Sequence, residues 1–143
     1  MTDFMQLAIE QANKASGDIP VGAVIVKDGN VIASACNSKE KDNDITSHAE
    51  ILAIRKSEKL LNNWRLDGCD MYVTLEPCPM CGWAIIQSRI SNLYFGSYDA
   101  NYGAFSSSID LRKISSGLYL NVYGGIKEQE CDKILKDFFV KIR

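Results

Sequence analysis

Residues Met71 to Cys81 read Met-Tyr-Val-Thr-Leu-Glu-Pro-Cys-Pro-Met-Cys. Met71 to Leu75 is a β-rich run, and Pro77 breaks it. Pro79 can open a helix, because the first helical position needs no N–H, and the helix is expected to run to about Ser88. Leu93 to Tyr98 then reads as a second strand. A strand–helix–strand crossover of this kind joins parallel strands.

Working outward, Val21 to Val26 and Val31 to Ala35 flank Lys27-Asp28-Gly29-Asn30. Asp-Gly between two apolar runs predicts an antiparallel hairpin. Phe4, Leu7, Ala8, Ala12 and Ala15 give residues 2–15 a helical stripe that Ser16-Gly17-Asp18 stops. Residues 38–47 read as a polar loop, and 48–61 as a helix. Residues 99–117 read as a Gly- and Ser-rich loop with one short helix around Ile109 to Ile114. Leu118 to Tyr123 reads as a last strand, and Cys131, Ile134, Leu135, Phe138 and Ile142 as the stripe of a terminal helix. The expected fold is α/β, a three-layer α/β/α sandwich around a mixed five-stranded sheet.

At 143 residues the chain is expected to form one domain, 1–143. Apolar residues are 46% and charged residues 24%, which excludes a disordered or fibrous chain. A net charge of −2 excludes a protein that coats polyanions along its whole surface. The apolar run at Val21 to Val26 is far too short to span a bilayer. Asp3 and Glu10 beside Phe4 and Met5 do not fit a signal peptide, so the expected compartment is the cytoplasm, with no membrane partner. Five cysteines, an odd number, do not suggest a disulfide framework. Cys36, Cys69 and Cys131 stand among apolar or strand-like residues and read as small buried hydrophobes.

Two motifs carry chemistry. His48-Ala49-Glu50 opens one expected helix, and Cys78-Pro79-Met80-Cys81 opens the next. One imidazole and two thiolates form a zinc set with a fourth position left for water. Two cysteines at i and i+3 can meet one metal from the first turn of a helix, where free N–H groups favour thiolates. His48 and Glu50 are two residues apart and converge only where a helix begins, so Ser47 is the expected N-cap. Each motif also has a plainer reading. Ser47 to Glu50 fits a capping box, and Cys-x-x-Cys occurs as a redox pair. Together, His-x-Glu and Pro-Cys-x-x-Cys match the zinc nucleobase deaminase signature, with Glu50 as general acid and base.

At these residues the chain resembles the cytidine deaminase-like superfamily, and within it the bacterial tRNA-specific adenosine deaminases. The resemblance runs from about Ile19 to Phe139. It includes Ile19 to Val24, Asn37, His48 to Ile51, Asn63 to Leu66, Tyr72 to Cys78, Ser88 to Ile90, Phe95-Gly96, Asp99 and Phe138-Phe139. The resemblance implies one Zn²⁺ per chain on His48, Cys78 and Cys81, with Glu50 shuttling protons. It implies substrate contacts at Asn37, Ala49, Leu75, Asp99, Phe138 and Phe139. The implied reaction converts adenosine to inosine at the wobble position of a tRNA anticodon stem-loop. A homodimer is also implied, with Trp83, Ile85 and Ile86 needing apolar cover. Lys133, Lys136, Lys141 and Arg143 are the candidate phosphate contacts. The chain departs from the family pattern at Ser47, Gly82-Trp83, Asn101 and Phe105-Ser106. Two other readings use the same residues: a free guanine or cytosine deaminase, and a non-catalytic zinc-stabilised scaffold. The scaffold would close the metal with a fourth protein ligand, for which Cys36 and Cys69 are available.

Overall fold

The computed structural model describes residues 1–142. Its elements in chain order are α1 (Phe4–Ala12), β1 (Gly22–Lys27), β2 (Asn30–Cys36), α2 (Lys39–Asp42) and α3 (Ala49–Leu61). β3 (Cys69–Leu75), α4 (Pro79–Gln87), β4 (Asn92–Ser97), a 3₁₀ turn (Leu111–Ile114), β5 (Asn121–Tyr123) and α5 (Glu128–Lys141) follow. One five-stranded sheet has the order β2-β1-β3-β4-β5. β1 pairs antiparallel with both β2 and β3, while β3–β4 and β4–β5 are parallel. The sheet is mixed for the expected reason: a tight turn makes the hairpin, and helix α4 carries the chain back to start β4 beside β3.

Alternation along the strands divides the core into two layers. Ala23, Ile25, Met71, Val73, Leu93 and Phe95 point to one face, where they meet Ala49, Ala53 and Ile54 of α3 and Ile85 and Ile86 of α4. Val24, Val26, Tyr72 and Tyr94 point to the other, against Met5, Ala8 and Ile9 of α1 and Cys131 of α5. Gly22 lets α1 lie directly on β1, since a Cβ there would sit 2.0 Å from the Ala8 carbonyl oxygen.

Three local expectations differ from the structure. The loop at 38–47 contains the single helical turn α2, ended by Asn43 in the left-handed region. The last strand begins at Asn121 rather than Leu118, because β4 starts only at Asn92, opposite Asn121, and offers no earlier partner. Leu118 instead closes a turn through its N–H to the Ser115 carbonyl. α1 stops at Ala12, with Asn13 as its C-cap. Among the described residues no helix is long and apolar enough to cross a membrane.

Candidate active site

The N-termini of α3 and α4 and the C-terminal end of β3 meet at one edge of the sheet. His48 is itself the N-cap of α3, in extended conformation (φ −79°, ψ 150°). Ser47 therefore lies one residue before the cap, and neither it nor His48 caps α3 with its side chain. The extended backbone at His48 turns its ring toward the side where Glu50, inside the first turn, also points. That is how residues two apart converge. Cys78 occupies the same place in α4 (φ −73°, ψ 171°), with Pro79 next and Cys81 within the first turn.

His48 Nδ1 lies 3.7 Å from Cys78 Sγ and 3.3 Å from Cys81 Sγ. One tetrahedral zinc with Zn–S about 2.3 Å and Zn–N about 2.0 Å needs N···S separations of about 3.5 Å. The three donors fit the ion, and all lie within 4.8 Å of one another. Neither Cys36 nor Cys69 joins them. Cys69 is buried at the start of β3 and Cys131 is buried on the inner face of α5, as expected of small hydrophobes, whereas Cys36 is only partly buried. Burial pushes the Cys131 thiol up to about 12, so it is inert.

Cys78 is drawn down to about 4, first by the Cys81 sulfhydryl and then by His48, against the effect of burial. Cys81 is held far above the ordinary thiol range by the hydrogen bond its S–H donates to the Cys78 sulfur and by burial. The Cys78 sulfur also raises the imidazole of His48. Glu50 is 4% exposed, and burial pushes its carboxyl up to about 7, with the charge of Cys78 adding to the effect. A carboxyl in that range can both accept and return a proton near neutrality.

A cavity of about 490 Å³ opens onto these groups. Its wall includes Asn37, Leu75, Asp99, Phe138 and Phe139 together with His48, Glu50 and Cys78. Ala49 is fully buried and is not part of that wall. Its N–H donates to Asn37 Oδ1 at 2.8 Å, and Asn37 Nδ2 donates to the Ile19 carbonyl at 2.9 Å. Asn37 thus ties the start of α3 to the 19–21 segment, with one N–H hydrogen left for a ligand.

The structure adds residues that the motifs did not single out: Lys39 and Tyr102 line the cavity, and Glu76 anchors one side of it. In the sequence Glu76 stood only as one residue of the Tyr72 to Cys78 motif, with no role of its own. Its carboxylate is 1% exposed and accepts the N–H groups of Asp99, Phe105, Ser106 and Ser107 and the Ser107 hydroxyl. Gly103 makes room for it, since a Cβ there would lie 2.3 Å from Glu76 Cδ. Burial alone would raise this carboxyl, but the Ser107, Asp99 and Phe105 donors together lower it below its ordinary 4.5. Its stabilising effect is therefore present above that ordinary value and lost as pH falls through the lowered one. Glu76→Gln sets an amide NH₂ against these donors. We expect it to cost about 2–3 kcal/mol, read as a lower urea midpoint at pH 7, and to remove this acid-dependent component.

Two of the departures from the family pattern explain each other. Phe105 is fully buried and absent from the cavity wall. A Cβ on residue 82 would lie 3.1 Å from Phe105 Cε2 and 2.8 Å from Leu111 Cδ1. Gly82 is the complement of the large ring at 105. Trp83, by contrast, is 36% exposed, while Ile85 and Ile86 are buried in the core and not available as a surface. The expected basic face is also smaller. Lys133 pairs with Asp137 at 2.7 Å, and Arg143 lies outside the described residues.

Residues 1–97 match the model for the cytidine and deoxycytidylate deaminase zinc-binding region. A tRNA-specific adenosine deaminase from Bacillus subtilis is 39% identical over 143 residues, covering 98% of this chain and 89% of its own. The chain belongs to the tRNA-specific adenosine deaminase family. A solved structure from studies of A-to-I editing by tRNA:A34 deaminases at the wobble position superposes on this family member with a TM-score of 0.86. It is 44% identical and covers 92% of this chain and 98% of that one. Bacillus subtilis guanine deaminase superposes less closely, with a TM-score of 0.63 at 35% identity over 74% of this chain and 80% of that one.

Proposed function

We propose that this protein converts adenosine to inosine at the wobble position of a tRNA anticodon loop, releasing ammonia. The observation that carries the reading is one cavity wall that brings His48 and Cys78 of a zinc-fitting triad together with a buried carboxyl and the Asn37 amide. His48, Cys78 and Cys81 would hold a zinc ion, whose Lewis acidity would supply an activated water for attack on an amidine carbon. Glu50 would take one proton from the attacking water and deliver it to a ring nitrogen of adenine, then take the remaining proton of the newly added hydroxyl and deliver it to the departing amine, which leaves as ammonia while the C6 carbonyl forms. Nearly complete burial of Glu50 keeps bulk water from competing for these transfers. The free Nδ2 hydrogen of Asn37 can be donated to an acceptor on the base edge. Leu75 supplies apolar wall, and Phe138 and Phe139 form an aromatic pair at 5.3 Å where α5 meets the cavity.

A nucleobase reaches such a pocket only when it is unstacked, and a loop base is already partly splayed. With net charge −2, phosphate contacts must be local, and Lys39, Lys136 and Lys141 are the candidates among the described residues. A tRNA substrate and unpaired thiol ligands suit a reducing cytoplasm. The test is purified protein with a panel of tRNA anticodon stem-loops and free bases. Inosine in one stem-loop supports the reading. Efficient deamination of free guanine or cytosine with every stem-loop untouched replaces it with a small-molecule deaminase.

The same reading includes a homodimer. Met80 and Trp83 leave an apolar edge exposed on α4, beside the zinc ligands. Light scattering at micromolar concentration is expected to give twice the chain mass of 15.9 kDa. A strictly monomeric mass removes the dimer from the proposal.

A further inference from the structure

Tyr102 is the one large side chain of the 99–107 loop that combines high exposure, 67%, with a place on the cavity wall. An exposed aromatic ring on a mobile loop would mean little. This loop, however, has almost all of its N–H groups engaged. Asp99 and residues 105–107 donate to Glu76. Asn101 and Tyr102 donate to Asp99 Oδ1 at 3.1 Å each. Gly103 donates to the Asp99 carbonyl and Ala104 to the Pro77 carbonyl. Ala104 and Phe105 are fully buried, which pins the base of the loop to the core. An irregular segment is thus rigid, and it holds one ring out at the mouth.

Within the described residues the Tyr102 hydroxyl makes no hydrogen bond and the ring has no aromatic partner. Neither the fold nor the metal site uses it. On the same wall Phe138 and Phe139 already carry an aromatic surface, so the mouth offers rings from two separate elements. Flat, sequence-tolerant partners for such rings are nucleobases.

We propose that Tyr102 is a stacking platform for a nucleobase adjacent to the target adenosine, and that Glu76 is the positioning residue that keeps the ring there. The proposal rests on the RNA reading given above. Stacking on a ring presented in place requires no reordering of the loop, so its effect falls on binding rather than on the chemical step.

The experiment uses the full-length zinc-loaded protein and a synthetic anticodon stem-loop, following inosine formation. Tyr102→Ala is expected to raise KM about tenfold, within the range of one lost base–aromatic stack. Its kcat and zinc content should stay within about twofold of the wild type, since the ring touches neither ligand nor reacting atoms. Tyr102→Phe is expected to restore KM, because the face and not the hydroxyl does the binding. A stem-loop with an abasic residue beside the target adenosine should raise KM for the wild type and add nothing further to Tyr102→Ala. An unchanged KM for Tyr102→Ala overturns the platform, as does equal damage from Tyr102→Phe. Additive effects of the abasic site and Tyr102→Ala overturn the assignment to a neighbouring base. A wild-type protein that deaminates free guanine and no stem-loop overturns the RNA reading itself and the platform with it. That outcome is distinct from wild-type activity on RNA with Tyr102→Ala unaffected.

Discussion

Glu50→Ala is expected to lose about 10²–10⁴-fold in kcat on an anticodon stem-loop, while keeping zinc and fold. The size of the loss follows from the number of proton transfers assigned to one carboxyl. The retention of fold follows from its position. Glu50 sits in the first turn of α3, 4% exposed, with no partner holding it as a cap. Removing it gives up only its bonds to its own backbone N–H and to Cys81, and the alanine is a better helix former than the residue it replaces. Thermal melting and metal analysis should therefore match the wild type while inosine formation collapses. Glu50→Gln, which preserves volume but cannot shuttle a proton, should be equally inactive. Turnover close to wild type in either variant would remove the proton-shuttle role.

Cys81→Ser is expected to abolish both zinc retention and activity. Cys81 is fully buried, and its sulfur lies 3.3 Å from His48 Nδ1. A serine hydroxyl is shorter, harder and protonated at neutral pH, so it replaces a thiolate poorly on zinc. Substituting an outer partner of a metal site typically costs 10–100-fold in affinity, and removing a direct ligand costs more. Zinc should fall from about one ion per chain to a small fraction of that by elemental analysis after dialysis. The melting temperature should fall with it, because a ligand that binds only the folded chain stabilises that chain. Here a bound ion would tie the starts of α3 and α4 together. Full zinc occupancy in Cys81→Ser would contradict the ligand assignment.

The residues proposed for the zinc triad and the proton shuttle were legible because the spacing within each motif is local. His48 and Glu50 share one helix start, and Cys78 and Cys81 share another. Pro79 announces the second of these starts, since proline at the first helical position costs no hydrogen bond. The hairpin was legible from Asp28-Gly29, which takes the positive φ angles that such a turn needs. Cap assignment was less legible. Ser47 is the better capping residue by type, yet His48 holds the position. The backbone entering α3 is set by contacts outside the helix. Ser47 N–H donates to the Asp44 carbonyl, and its own carbonyl accepts from Ser38. Local preference yields there to bonds made by the preceding loop.

Contacts between residues far apart in the chain could not be read from spacing. Glu76 meets Ser106 thirty residues later, and nothing in the intervening sequence records the encounter. Gly82 and Phe105 each look like an unexplained substitution until the fold brings them within van der Waals reach. By itself the sequence determined most of the element types, the mixed sheet and the four residues proposed to hold metal and proton, because these depend on periodicity, turn chemistry and neighbours within four positions. Only the tertiary structure decided the cavity wall, the anchoring of the 99–107 loop and the exposure of Tyr102. Those depend on which side chains fill the space between elements, and close packing settles that only once all the elements are in place.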